Sequence, residues 1–230
     1  IPRPLGVRVR VSPSAPSNIH LNIDNYNFDL PEQLIAKAPI DERSSSRLLV
    51  VDDQLNDLNF SDILDYLHEG DLLVINDTKV FKARLDALKT TGGKVEILLE
   101  RQVDQHNALA MTKSNRPLKR KDRLIIQNSE ITAEVIEKRD YLCLLKFSHN
   151  LNEVIDNYGS IPIPPYMNRK PNQSDYERYQ TVYADNSKER SSASPTAGLH
   201  FEQKLLEKIK EKGVDIAPIT LDIGLGTFKP

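Results

Sequence analysis

The sequence predicts a small antiparallel β domain inserted into an α/β domain, and three observations carry that expectation. Six short β-like runs follow one another between residues 83 and 147 with no helical period among them. Helix-period segments flank this stretch on both sides, and glycine- or charge-rich turns punctuate it at Thr91-Gly92-Gly93 and over residues 114–122. A series of that length is what a small antiparallel barrel needs.

Ahead of the barrel, a short helix is expected after Pro31 and a strand at Arg47–Val51. A second helix is read from Ser61, as N-cap, through Ile63, Leu64 and Leu67 to a stop at Gly70. The barrel runs are 83–88, 95–100, 108–112, 123–127, 131–137 and 141–147. Helical signals return at Leu151–Tyr158, 175–183 and 202–212, and a last strand is read at 216–223. The domain limits expected are 22–80 with 151–230 for the α/β part and 81–150 for the barrel. Residues 1–21 form a leader holding Pro2, Pro4, Pro13, Pro16, Arg3, Arg8 and Arg10, with no acidic residue before Asp24. That composition is expected to be disordered, and it reads as a cloning artefact or translated upstream sequence rather than a targeting signal.

Composition excludes several classes. A chain of 230 residues can bury a real core in one or two domains, and 39% hydrophobic with 28% charged residues describes a soluble protein. No segment approaches the roughly 20 apolar residues of a membrane span. The single cysteine, Cys143, makes no internal disulfide, so a reducing compartment is allowed; a cytoplasmic location is expected. The five histidines show no ligand spacing, and no metal is expected. A net charge of −2 gives no global nucleic-acid footprint. One loop departs from that average: Lys113, Arg116, Lys119, Arg120, Lys121 and Arg123 crowd together against only Asp122. It reads either as a solvated face or as a phosphate-contacting patch.

The densest site-like segment is Ser194-Pro195-Thr196-Ala197-Gly198-Leu199-His200-Phe201, leading into the helix marked by Leu205, Leu206 and Ile209 and capped by Gly213. Pro195 fixes one backbone angle, Gly198 allows a positive φ, and Glu202 is placed in the helix's first turn. A plain structural joint with a packed His200 is the alternative. A second cluster closes the apolar strand before Val80: Asn76, Asp77, Thr78 and Lys79, followed by Arg84. Further segments are the rigid Tyr158-Gly159 to Pro165-Tyr166, the helix-like Glu177-Arg178-Tyr179, and the terminal Leu221-Asp222-Ile223-Gly224-Leu225-Gly226-Thr227.

Read in order, these segments resemble the S-adenosylmethionine:tRNA ribosyltransferase-isomerase family of queuosine biosynthesis. The resemblance takes in Phe28-Asp29-Leu30-Pro31, Arg43-Ser44-Ser45 with Arg47-Leu48-Leu49, and Gly92-Gly93-Lys94-Val95-Glu96, and it runs from about Tyr26 to Pro230. It implies a barrel-like α/β main domain with the inserted small barrel, and a family length that extends about a third beyond Pro230. A chain ending there is expected to be inactive. The implied reaction moves the ribosyl group of S-adenosylmethionine to 7-aminomethyl-7-deazaguanine in tRNA, giving epoxyqueuosine and releasing adenine and methionine.

The implied partners are S-adenosylmethionine as co-substrate and that tRNA, with no membrane and a monomeric protein. His200, Asp77 and Thr196 become the catalytic candidates. Asn76, Lys79, Arg84, Tyr166, Arg178, Tyr179, Pro195, Gly198, Gly224, Gly226 and Thr227 become substrate-binding candidates, and the basic loop becomes the tRNA contact. The chain departs from the family pattern at residues 188–194, which are more polar, and at Asp222, where the family has histidine. Two rivals stay open: a noncatalytic RNA-binding module or inactive fragment of such an enzyme, and a nucleotide-binding enzyme using Gly224 and Gly226, a weak signal.

Overall fold

The computed structural model describes residues 22–228. The chain divides into two compact units between Ile35 and Ala36. The described part of the first holds two 3-10 turns, Ile23–Tyr26 and Glu32–Leu34, the second standing where a helix is expected after Pro31. All that follows concerns the second unit.

A hairpin of β1 (Arg47–Val51) and β2 (Leu55–Asn59) comes first, the second strand being one that the sequence reading leaves out. The expected helix from Ser61 is instead a 3-10 turn over Phe60–Tyr66, capped two residues earlier by Asn59: the Asp62 carboxylate accepts the Asn59 N–H at 2.9 Å. β3 (Leu72–Asn76) pairs in parallel with β12 (Asp215–Ile219), and the two-residue β4 (Lys79–Val80) pairs in parallel with β11 (Glu189–Ser191). β3 is less enclosed than an apolar run suggests, with Leu72 and Val74 more than half exposed.

Six strands then close a barrel: β5 (Arg84–Lys89), β6 (Lys94–Gln102), β7 (Asn107–Ser114), β8 (Arg123–Ile126), β9 (Thr132–Arg139) and β10 (Leu142–Phe147), in the order β10-β7-β6-β5-β8-β9. Every neighbouring pair is antiparallel, and the expected runs match these strands to within a residue or two at most ends. Gly92 makes the β5–β6 turn with φ +84°, where only glycine is unstrained. Leu85, Ile97, Leu99, Leu124, Ile126, Val135, Leu145 and Phe147 fill the barrel. α1 (Leu151–Tyr158) adds Leu151 and Val154 to that core, and the 3-10 turn Leu225–Phe228 adds Leu225.

A second core lies under α3 (Gln203–Glu211): Leu205, Leu206 and Ile209 pack on Phe60, Phe201 and Val214. Gly213 follows this helix with φ +82°, as its capping role requires. α2 (Asp175–Arg178) is far shorter than the expected 175–183. Its continuation is pre-empted because the Gln180 amide donates to the Val80 carbonyl at 2.7 Å and accepts the Val80 N–H at 3.0 Å. β12 likewise stops at Ile219 rather than 223, because the Asn76 side chain takes over as partner, bonding both the N–H and the carbonyl of Leu221. Among the described residues no helix is long and apolar enough to cross a membrane.

Candidate active site

Four short segments wall a groove of about 670 Å³. The first is the extended Ile161-Pro162-Ile163-Pro164, whose prolines forgo N–H donors and which is buried along its length; it turns at Pro165–Met167 to present Tyr166, 61% exposed. The second is the end of α2, giving Arg178 and the buried Tyr179. The third is the 3-10 turn Thr196–His200, and the fourth is the turn Arg43–Ser45 with the residues before it. Of the sequence-derived candidates, this groove unites Thr196, His200, Tyr166, Arg178 and Tyr179.

The Thr196–His200 turn follows from its residues. Pro195 holds φ at −69°, and the Gly198 N–H closes back on the Pro195 carbonyl at 2.8 Å. Gly198 does not use a positive φ. It is required for space, since a Cβ there would overlap the Tyr183 hydroxyl and sit 3.0 Å from the Thr181 methyl. Glu202 is the N-cap of α3 rather than a first-turn residue, and its carboxylate accepts the Ser44 N–H at 3.1 Å, which holds it below the usual carboxylate range.

His200 is half-buried, its ring 5.1 Å from that of Phe60. Its Nδ1 lies 3.1 Å from the Ala197 carbonyl. A carbonyl only accepts, so in this arrangement Nδ1 carries the proton and Nε2 is left to give or take one. Burial pushes the Tyr179 phenol up, against a bond with the Ser194 backbone.

Of the groove residues not singled out from the sequence as site residues, one is buried and positively charged. Arg43 is only 7% exposed and donates to the Leu199 carbonyl at 3.0 Å and the Glu177 carbonyl at 3.1 Å, so it ties the His200 segment to α2. Its one signal was a place in the Arg43-Ser44-Ser45 motif. Behind this wall Arg169 grips Asp175 with two bonds of 2.6 and 2.8 Å, holding the buried carboxyl well below the usual range.

The other candidates lie elsewhere. The Asp77 carboxylate, on a residue 5% exposed, binds Lys188 and accepts from Thr220 at 2.7 Å; both hold it ionised below the usual range. Asn76 clasps Leu221, and Lys79 pairs with Glu189 at 3.0 Å. This polar clamp joins the ends of β3, β4, β11 and β12. Arg84 donates to the Ile163 carbonyl at 3.2 Å, on the barrel side of the same proline segment, and lines a separate groove of about 550 Å³ with Glu96, Lys113, Arg169 and Lys170. Gly224 admits the Glu100 side chain, which accepts the Leu225 N–H at 2.6 Å, while Thr227 donates to the Gly224 carbonyl and Gly226 meets nothing close. Asp222 is exposed and lines a third groove with Arg101, Glu189 and Arg190.

In the basic loop, Lys113, Arg116, Lys119, Arg120, Lys121 and Arg123 are all exposed, and the buried Leu118 anchors the loop in the barrel core. Among the described residues no cluster of histidine, cysteine and carboxylates has the arrangement to hold a metal ion.

Comparison with known proteins bears on this geometry. The chain is 45% identical over 212 residues to the S-adenosylmethionine:tRNA ribosyltransferase-isomerase of Acinetobacter baylyi, covering 91% of this chain and 62% of that one. It is 43% identical to the Acinetobacter baumannii protein of the same name, covering 91% and 60%. A crystal structure of S-adenosylmethionine tRNA ribosyltransferase from Thermotoga maritima is 27% identical, covers 87% of this chain and 58% of that one, and superposes with a TM-score of 0.34. The chain thus spans about three fifths of the length of the curated relatives it matches. The sequence profile of the queuosine biosynthesis protein family matches residues 23–230, and the chain belongs to that family.

Proposed function

We propose that this protein transfers the ribosyl group of S-adenosylmethionine to 7-aminomethyl-7-deazaguanine in tRNA, yielding epoxyqueuosine with loss of adenine and methionine. The observation that carries the proposal is the groove itself. In a chain of this family, it gathers a histidine with a free Nε2, two tyrosines, a threonine and three arginines around a volume suited to a nucleoside.

The sulfonium acidifies the adjoining ribose carbon; a base removes that proton and adenine departs. The aminomethyl nitrogen of the tRNA base then attacks, and ring closure expels methionine. His200 serves as the acid or base through Nε2, with Nδ1 anchored so that the ring keeps one tautomer. Tyr166 and Tyr179 offer faces to adenine or to the modified base, and Thr196 offers a hydroxyl to the ribose. Asp77, whose oxygens are engaged by Lys188 and Thr220, acts as a structural clamp. The exposed lysines and arginines of the barrel loop take the tRNA phosphates.

The test is made on the longest natural form of the protein. Adenine and methionine should appear only when S-adenosylmethionine and the aminomethyl-deazaguanine tRNA are both present, with the epoxyqueuosine nucleoside visible by mass spectrometry. His200→Ala should lower turnover by about 10²–10⁴-fold while leaving the fold intact. A folded His200→Ala protein with normal turnover would return this turn to a structural joint. RNA binding without adenine release would favour the noncatalytic module, which the basic loop alone supports.

A further inference from the structure

Two arginines line the groove without a carboxylate against them. Arg43 donates to the carbonyls of Leu199 and Glu177, and Arg178 donates to those of Ile40 and Asp41. A guanidinium has five N–H donors, so each retains capacity for a further acceptor. Neither takes part in an ion pair within 4 Å among the described residues, whereas Arg47 at the same groove holds Asp57 and Arg169 holds Asp175.

Burial, and then the like charge of Arg178, lower the proton affinity of Arg43; Glu177 and Glu202 offset this only in part. Neither of those glutamates lines the groove, and Glu202 is engaged by the Ser44 N–H. Two adjacent guanidinium charges held on carbonyl dipoles form an arrangement that an arriving anion stabilises.

We propose that Arg43 and Arg178 form an oxyanion subsite that takes the carboxylate of an amino-acid-bearing nucleoside. This rests on the function proposed above and fixes which end of the co-substrate lies at the α2 wall. A carboxylate is favoured over a phosphate because apolar and aromatic side chains make up much of the lining, Ile163, Pro164, Tyr166, Met167, Tyr179 and Leu199 among them, and no lysine is part of it. A planar two-oxygen anion also matches the guanidinium fork. Because Arg43 hangs from the carbonyl next to His200, an anion seated there also steadies the turn that carries the histidine.

Calorimetric titration of the protein with S-adenosylmethionine and with its decarboxylated analogue, S-adenosyl-3-methylthiopropylamine, gives a ratio of affinities. In the unaltered protein the carboxylate should strengthen binding about 10- to 100-fold, as charge-assisted hydrogen bonds do. In Arg43→Gln and in Arg178→Gln the ratio should fall toward one, and Arg178→Lys, which keeps the charge without the fork, should restore only part of it.

A ratio unchanged in folded variants overturns the subsite while the groove keeps its ligand. Adenosine 5′-phosphate outbinding adenosine in an Arg178-dependent manner, with no carboxylate effect, overturns it in favour of a phosphate. Failure of both sulfonium ligands to bind the unaltered protein sinks the proposed function and the subsite together. Arg43 joins two segments of wall, so circular dichroism checks its variant; if Arg43→Gln does not fold, Arg178→Gln, at a half-buried position, decides.

Discussion

The barrel and the groove are built on opposite principles. In the barrel, backbone pairs with backbone around a complete circuit, and the centre is filled by side chains that water does not reach. Around the groove, and in the polar clamp apart from it, 3-10 turns and strands of two to five residues are joined by side chains bonded to distant main-chain atoms: Arg43 to Leu199 and Arg178 to Ile40 at the groove, Gln180 to Val80 and Asn76 to Leu221 beyond it. Burial of apolar area is tolerant of detail, whereas a polar strut works only at its own length and angle. The barrel therefore supplies stability, and the groove supplies placement.

The sharpest way to break the barrel is Phe147→Ala. This ring is 1% exposed in the closed core, and its removal should cost about 3–5 kcal/mol in urea unfolding. Hydrogen exchange should show the loss first in β5–β10. A loss below about 1 kcal/mol would mean that the core collapses around the gap and that the barrel is less tightly specified than its closure suggests.

This contrast also sets what the sequence makes legible. Barrel strands announce themselves because alternation and turn residues are local, so Val95, Ile97 and Leu99 on one side of β6 are readable directly, and the six runs appear close to where they lie. The struts of the groove and of the polar clamp are long-range, and nothing local marks them. Helix α2 ends at its fourth residue because Gln180 meets Val80, 100 residues away, and β12 ends because Asn76 meets Leu221, 145 residues away. His200, Thr196 and Tyr179 were found through motif density, while Arg43 lay unnoticed in a motif whose burial only the fold reveals. Gly198 was singled out for the wrong reason: its neighbour is Tyr183, not an unusual φ.

Asp175 tests the polar side of the comparison. Arg169 first, with the Asn172 N–H, holds its carboxyl below the usual range despite burial. A carboxylate depressed in the folded state contributes stability that is present above the unfolded value near 4 and is lost as pH falls through the lower, folded value. Asp175→Asn should therefore cost about 1.5–3 kcal/mol at neutral pH and flatten the acid limb of the stability curve below about pH 4. An unaltered acid limb would show that the pair contributes nothing the amide does not.

Gly198→Ala probes placement. The added methyl meets the Tyr183 hydroxyl, so the Thr196–His200 turn must shift, at a cost of about 1–3 kcal/mol. Binding at the groove should suffer with it. Tyr183→Phe removes the clashing oxygen, and the double variant should recover much of both losses in a double-mutant cycle. Additive effects would show that the close approach is not what demands glycine.

The smallest effect expected is also the one that sets barrel stability directly against proposed function. Among the described residues, four non-glycine residues have positive φ: Asn128, Asp140, Asn168 and Lys121. The first three are the side chains that tolerate this region, but Lys121, at φ 71°, is not. It sits third in the turn from Lys119 to Asp122, closed by the Asp122 N–H on the Lys119 carbonyl at 3.0 Å, where a glycine would be unstrained. A lysine there costs the barrel up to about 1 kcal/mol, a cost that makes sense if its charge is used. Lys121→Gly should raise the urea midpoint slightly while weakening tRNA binding and reducing the slope of log affinity against log salt by about 1, the signature of one lost phosphate contact. A gain in stability with an unchanged salt slope would leave the loop a solvated face, and no gain in stability would show that the turn accommodates lysine without strain.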